Sequence, residues 1–557
     1  MWPREHRRAK VVESRALPDL PMPPIRALPA LALACVTAVA GARDPGVKLP
    51  DIGSSAAAIA SPQELQDYGA AMLHELRAYE LVLEDPLLED YIRALGYRLV
   101  ASSDRPDLPY TFFIMRSEDI NAFAAPGGYV AVNAGLMTAM DSEDELAGVL
   151  AHEISHVQQQ HILRGIEDQQ KMSLPIMLGM LGVMIAAAGR NDDAAPAVLI
   201  SGTSLMQQRA INFTRSEEAE ADRVGIQILA RAGFDPNAMA GAFQALQRVM
   251  RVNGIDIPEF LLTHPLDTRR IAEARERAAQ LGCPTTPAVV ARPAPAAGGG
   301  GLDLNLRAGT QVASAVPVSP KPGSCAPRQG DGGYYELMRE RVRVLSAPSA
   351  PSIRGYYADN LRDNPGFDTP ATRYGHALAL IRTHQAADAV KELQPLVAAQ
   401  PNSVPLRLAL AKAEDQAGQH AAALAGYERL NRDFPGNRAV VLGYADALLA
   451  QGGDAGARRA LELLRPQVDR HGDDPDLQAT FGRASQLAGD SVRAAEAYAE
   501  AAWLNGRAED ALAQLKALAK RDDLSYYQRS RIEARITRLT AVVLDQRKRG
   551  DPAPDAP

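Results

Sequence analysis

Cysteine is scarce in this chain, with three among 557 residues. Beyond the N-terminal segment only Cys283 and Cys325 remain, so at most one disulfide can form; both thiols flank a low-complexity stretch, where they either pair or stand unrelated. An excess of basic charge is also missing. Sixty Lys and Arg face 67 Asp and Glu, a net charge of −7, and no dense Lys/Arg run occurs, which argues against a nucleic-acid partner. Long apolar runs are few. Ala27 to Ala40 is too short for a comfortable membrane span, and residues 172–189, MSLPIMLGMLGVMIAAAG, sit near the lower length limit and contain Pro175. Clear strands are few as well, only YTFFIMRS and GGYVAVNAG being dense in β-branched and aromatic residues. What is present is ordinary globular composition, 46% apolar and 23% charged, in a chain long enough for about three to four domains.

At the N-terminus Arg26 precedes the apolar run, and small residues close it at Ala38-Val39-Ala40 or Ala40-Gly41-Ala42. This pattern predicts a cleaved export signal over residues 1–42, with Met22 a more typical start than Met1. An uncleaved anchor and a lipoprotein at Cys35 are the rival readings; the second is weakened because ALAC has Ala32, not Leu, three residues before the cysteine. A spacer, 43–61, leads into an α-rich domain over 62–282, where SEDELAGVLAHEISHVQQQHIL reads as one helix opened by Ser142 and acidic residues. Residues 283–330 are rich in Pro, Gly and Ala, cannot bury a core, and read as a linker; 331–369 reads as a connecting segment.

Beyond it the chain repeats. Pro401 and Pro435 are 34 apart, as are Gly418 and Gly452. Leu410, Ala411, Gly418, Ala423 and Tyr427, followed by Pro435, recur as Phe481, Gly482, Gly489, Ala494 and Tyr498, followed by Ala501. Small residues let paired helices approach and large ones fill the gaps, so residues 370–520 resemble tetratricopeptide repeats. His384 stands where a turn glycine is expected, and the third copy carries an insertion after Gly452. A generic helical bundle is the rival. A terminal helix over 521–545 and a polar tail over 546–557 complete the chain.

The chemistry concentrates in VLAHEISHVQQQH. On a helix, residues four apart share a face, so His152 and His156 aim at one point, and neutral imidazoles suit zinc. Glu153 lies beside the first ligand, placed to take a proton from an attacking water. A catalytic zinc needs a third protein ligand, and NFTRSEEAEADRVGIQIL offers Glu217, Glu218 and Glu220. Glu218 and Asp222 share a face, so one can bind metal while the other holds a histidine ring from behind. Glu217 turns aside, and Glu220 points nearly opposite Glu218; both read as part of a solvated acidic face. His161, five residues beyond His156, has rotated off the metal face and reads as structural. His74 has no evident partner.

HEISH together with EAEAD resembles the M48 zinc metallopeptidases, whose glutamate ligand stands four residues before an aspartate. The resemblance implies a mainly α architecture: a zincin-like α+β peptidase domain with a small β-sheet, followed by the all-α repeat solenoid. It implies one zinc per chain on His152, His156 and Glu218, with Glu153 as general base and Asp222 in support. NAFAAPGGYVAVNAGLM resembles the strand before the metal helix, which implies that Gly127, Gly128, Tyr129 and Val130 form an edge that pairs with extended substrate. FLLTHPLDTRR resembles a segment near the metal, and His264 is expected as a fourth ligand that gates the site. With an export signal and repeats, the resemblance further implies a periplasmic enzyme acting on unfolded or misassembled outer-membrane proteins and their assembly machinery, with peripheral membrane contact. Residues 172–189 are expected as a buried hairpin or lid, because a single crossing there would part His156 from Glu218.

Overall fold

Ser61 opens the first helix with a capping box: its hydroxyl accepts the Glu64 amide, the Glu64 carboxylate accepts the Ser61 amide, and Pro62 occupies the first turn. That helix, α1, is Pro62–Ala78, and α2, Pro86–Ala101, has Asp85 as its cap, accepting the Leu88 amide, with Pro86 in its first turn. The computed structural model describes residues 60–168, 215–253, 260, 264–266, 268–281 and 333–549. The expected signal, residues 172–189, the linker with Cys283 and Cys325, and the polar tail after residue 549 lie outside the described residues.

Three short strands follow: β1 Thr111–Met115, β2 Ala122–Ala125 and β3 Tyr129–Asn133. Their order is β1-β3-β2, with β3 parallel to β1 and antiparallel to β2. Every residue of β3 is buried, as befits a strand with neighbours on both sides. The sheet leads into α3, Ala134–Ala139, then α4, Glu143–Gln158, whose Ser142 cap accepts the Glu145 amide and whose first turn carries Glu143, Asp144 and Glu145. The long helix expected from residue 142 onward breaks after Gln158. Gln160 adopts a left-handed conformation, φ 54°, and α5, His161–Asp168, sets off from there.

Helices α6, Arg215–Arg231, α7, Ala238–Asn253, and α8, Thr268–Leu281, complete the first part. α6 lies against α4 because Gly225 has no side chain: a Cβ there would come 3.2 Å from the Ala151 carbonyl carbon and the His152 amide nitrogen. This close approach presses the acidic helix onto the histidine helix.

Residues 331–369, expected as a connecting segment, hold two helices, α9 Tyr334–Ser346 and α10 Ala350–Asp363, with Tyr335, Met338 and Tyr357 fully buried. The repeats run as helix pairs: α11 Pro370–Arg382 with α12 Ala386–Ala399, α13 Val404–Gln416 with α14 His420–Asp433, α15 Arg438–Ala450 with α16 Asp454–Val468, and α17 Pro475–Leu487 with α18 Ser491–Leu504. Helices α19 Ala508–Ala519 and α20 Tyr526–Arg549 follow. Among the described residues no helix is long and apolar enough to cross a membrane.

The turns inside these pairs need a left-handed residue. Gly418, Gly452 and Gly489 supply it at φ 79°, 73° and 87°, and His384 takes the same position at φ 58°. The insertion in the third copy adds a second such glycine, Gly453, at φ 87°. A side chain in that region costs roughly 1–2 kcal/mol, and His384 is exposed, with little packing to lose. His384→Gly is therefore expected to stabilise the protein by about 0.5–1 kcal/mol after glycine's own entropic penalty. Thermal melting checks this, and an unchanged or lower midpoint would contradict it.

The repeats are tied to the peptidase part by buried polar contacts. Tyr335 donates to the carbonyls of Met137 and Met140, at 3.0 Å each. Arg341 grips Asp85 through two bonds of 2.7 and 2.6 Å; burial opposes charge on Asp85, yet this guanidinium holds its carboxyl below the usual range. Arg438, at the start of α15, meets Glu89 on α2 at 2.7 Å and Asp474 at 2.6 Å. His74 does have a partner: its ring meets the edge of Trp503 on α18, with centroids 4.6 Å apart.

Candidate metal centre

The four-residue spacing on α4 places His152 and His156 one turn apart, their Nε2 atoms 3.0 Å from each other. α6 brings Glu218 across from them: its Oε2 lies 3.6 Å from His152 Nε2 and its Oε1 3.4 Å from His156 Nε2. His264 completes the group. Its Nδ1 is 2.9 Å from Glu218 Oε1 and 3.3 Å from His152 Nε2. All four side chains are buried, and one donor atom from each falls within 4.8 Å of the others.

This donor set fits a metal ion. Two nitrogens on one tetrahedral zinc are about 3.3 Å apart when the bonds are about 2.05 Å, close to the separation of the two imidazoles. Glu153 stands beside the group without belonging to it. Its Oε1 is 3.7 Å from His264 Nε2, buried, with no hydrogen-bond partner among the described residues.

Electrostatics separate the roles of these residues. Burial opposes charge on His152, but the carboxylates of Asp222 and Glu218 outweigh it and raise the ring to about 10. His156 is driven well below the ordinary range by burial and by the charge on His152. Burial likewise works against the Glu218 carboxylate, yet the facing His264 and His152 hold it ionised. On Glu153 burial prevails and pushes the carboxyl above its ordinary range.

Asp222 stands behind His152, with Oδ1 2.9 Å from its Nδ1. Sequence reasoning missed the residue that ties these acids together. Arg270, on α8, donates to Asp222 through Nε and Nη2 at 2.9 and 2.8 Å, places Nη1 2.9 Å from Glu218 Oε2, and donates to the Pro265 carbonyl. Its guanidinium also lies over the Phe243 ring, 4.9 Å from the centroid. The arginine six positions after His264 was on view in THPLDTRR, but no periodicity links it to a helix fifty residues earlier.

The expected substrate edge does not fall at Gly127, Gly128, Tyr129 and Val130. Tyr129 and Val130 belong to β3, which is paired on both sides, and Gly127 and Gly128 form the turn into it at φ 82° and 79°. Among the described residues the outer strand on that side is β2, whose Ala124 backbone favours the ionised Glu153 carboxylate against the burial that raises it. The segment carrying His264 is pinned beside the start of β2, because the Phe260 amide donates to Ile120 and the His264 amide donates to Phe260. Glu217 is half-buried and outside the donor group. Glu220 is not a plain solvated acid, and His161 has not left the site: the two meet behind His156.

Comparison with known proteins identifies the family. Residues 86–278 match Peptidase family M48, and residues 415–480 match a tetratricopeptide repeat. The chain is 32% identical over 493 residues to the beta-barrel assembly-enhancing protease of Escherichia coli K12, covering 88% of this chain and 91% of that protein. Similarity to the protein of the same name from Yersinia pestis is 31% over 491 residues, with the same coverage. The mitochondrial metalloendopeptidase OMA1 of Schizosaccharomyces pombe is 30% identical over 186 residues, 33% of this chain and 52% of that protein.

Proposed function

The chain belongs to peptidase family M48, a family of metal-dependent peptidases, and from that premise we propose that it is an exported zinc endopeptidase acting in assembly and quality control of outer-membrane β-barrel proteins. The observation that carries the reading is the convergence of His152, His156 and Glu218 beside the buried Glu153. The substrate class follows the name shared by relatives that align along most of the chain. Tetratricopeptide repeats suit a polypeptide partner, here the unfolded substrate or its assembly machinery. The N-terminal segment supports a periplasmic location.

When bound, the zinc supplies Lewis-acid activation of water and of the scissile carbonyl. His152, His156 and Glu218 would hold it, with Asp222 keeping the His152 ring in place. Glu153 accepts the proton of the attacking water and passes it to the leaving amine. Substrate enters as an extended strand along the outer edge of β2, which runs past Glu153 at Ala124.

His264 is the gate in this proposal. With a metal bound, a fourth protein ligand would take the place that water and substrate need, so the arrangement with His264 in the donor group would be the latent state. His264→Ala is expected to raise peptidase activity severalfold with zinc still bound, read by cleavage of a quenched fluorescent peptide beside elemental analysis. Unchanged activity would remove the gate.

The test of the whole reading is digestion of an unfolded outer-membrane β-barrel protein. Chelation should stop cutting and added zinc restore it. If neither wild type nor His264→Ala cuts, the second reading stands, in which the repeats act as a docking scaffold over a largely latent protease; His264 in the donor group is what favours it.

A further inference from the structure

His161 was expected to point away from the metal because a continuous helix would rotate it there. The left-handed Gln160 ends that continuity, and α5 starts on a new axis with the His161 ring turned back beneath His156. The ring is fully buried, its Nδ1 2.7 Å from His156 Nδ1 and its Nε2 3.2 Å from Glu220 Oε2. Glu220 is held in turn by Arg164 at 3.1 Å, with Arg223 at 3.7 Å.

We propose that His161 is a positioning residue for the ligand His156, an imidazole spacer that connects this ligand to the Glu220 carboxylate. The inference rests on His156 being a metal ligand. The proton positions follow from the contacts. His156 directs Nε2 at Glu218 and His152, so that nitrogen must offer its lone pair to the metal and the ring proton sits on Nδ1. That N–H donates to His161 Nδ1. His161 therefore carries its own proton on Nε2, and donates it to Glu220. Each link allows one tautomer, and the chain ends on an anion paired with an arginine.

Both histidine ligands then have a carboxylate behind them, by different routes. Asp222 reaches His152 directly; Glu220 reaches His156 through one intervening ring. The alternation Glu218, Glu220, Asp222 on α6 thereby acquires three distinct tasks: metal ligand, anchor of the His161 relay, and anchor of His152. Partners behind a metal-bound histidine fix its ring and raise its basicity, and losing one typically weakens metal binding about 10–100-fold.

The test is the zinc dissociation constant of the full-length protein, measured by competition with a chromophoric chelator, together with the melting temperature of the metal-free protein. His161→Phe keeps a buried ring but removes both contacts, and about a tenfold rise in the constant is expected. Glu220→Gln should act in the same direction. His161→Asn retains an acceptor for His156 but cuts the path to Glu220, so in that background Glu220→Gln should have no further effect. The inference is overturned if zinc affinity in His161→Phe matches wild type while the metal-free melting temperature falls, which is the signature of packing alone. It is also overturned if the Asn and Gln effects multiply. Wild type that binds no zinc would sink the metal reading itself, and this inference with it.

Discussion

Glu153→Gln is expected to lower kcat for peptide hydrolysis by about 10²–10⁴-fold while leaving zinc content and melting temperature near wild type. Glutamine keeps the size and the acceptor oxygen of the side chain. It cannot take a proton. The site around it is dry: Glu153 is 1% exposed, walled by His152 and His264. No other carboxylate among the described residues of the site is free for the task, since Glu218 belongs to the donor group and Asp222 is engaged by His152 and Arg270. Metal content by elemental analysis and cutting of an unfolded outer-membrane protein, measured on the same preparation, decide the matter. Cutting at the wild-type rate with metal in place would remove Glu153 as the base.

Arg270→Ala is expected to be the most damaging substitution for stability, costing about 3–5 kcal/mol. The guanidinium is the shared counter-charge of Asp222 and Glu218, and all three are buried. Removing it strands two carboxylates in a dry interior and takes a cation from the face of Phe243. The loss should be larger without metal than with it, because a bound cation compensates part of the same charge. Arg270→Lys should rescue only partly, since one ammonium cannot reproduce the fork that meets both oxygens of Asp222. Melting curves with and without zinc measure these differences. A variant as stable as wild type in both states would mean that the acids are neutralised by another route.

The site divides by how far apart its parts lie in sequence. His152, Glu153 and His156 were legible because helical periodicity is short-ranged, and four residues return the chain to the same face. Glu218 and Asp222 share that periodicity with each other, but their pairing with the first helix came from resemblance; physically it depends on the close approach at Gly225. His384 at a turn position was legible too, and its left-handed backbone agrees. The sheet was misread at its edge. AFAA holds no β-branched residue, so β2 went unnoticed and β3 was taken for the outer strand, although β3 pairs on both sides. His161 stands outside the donor group, as expected, but Gln160 breaks the helical period and turns its ring back against His156, where Glu220, expected as a solvated acid, meets it.

By itself, then, the sequence pointed to the chemistry: two histidines spaced for a metal, a glutamate beside them, an acidic helix and a set of repeats. Those signals are local, written in spacings of four and thirty-four residues. Glu218, Asp222 and His264 were expected from resemblance, and the fold brings them together; tertiary structure alone decided that Arg270 holds two of the acids, that Glu220 stands behind His161, and that β2 borders the site. Most are contacts between residues more than forty positions apart, set by packing and by breaks in helical phase that no periodic pattern records.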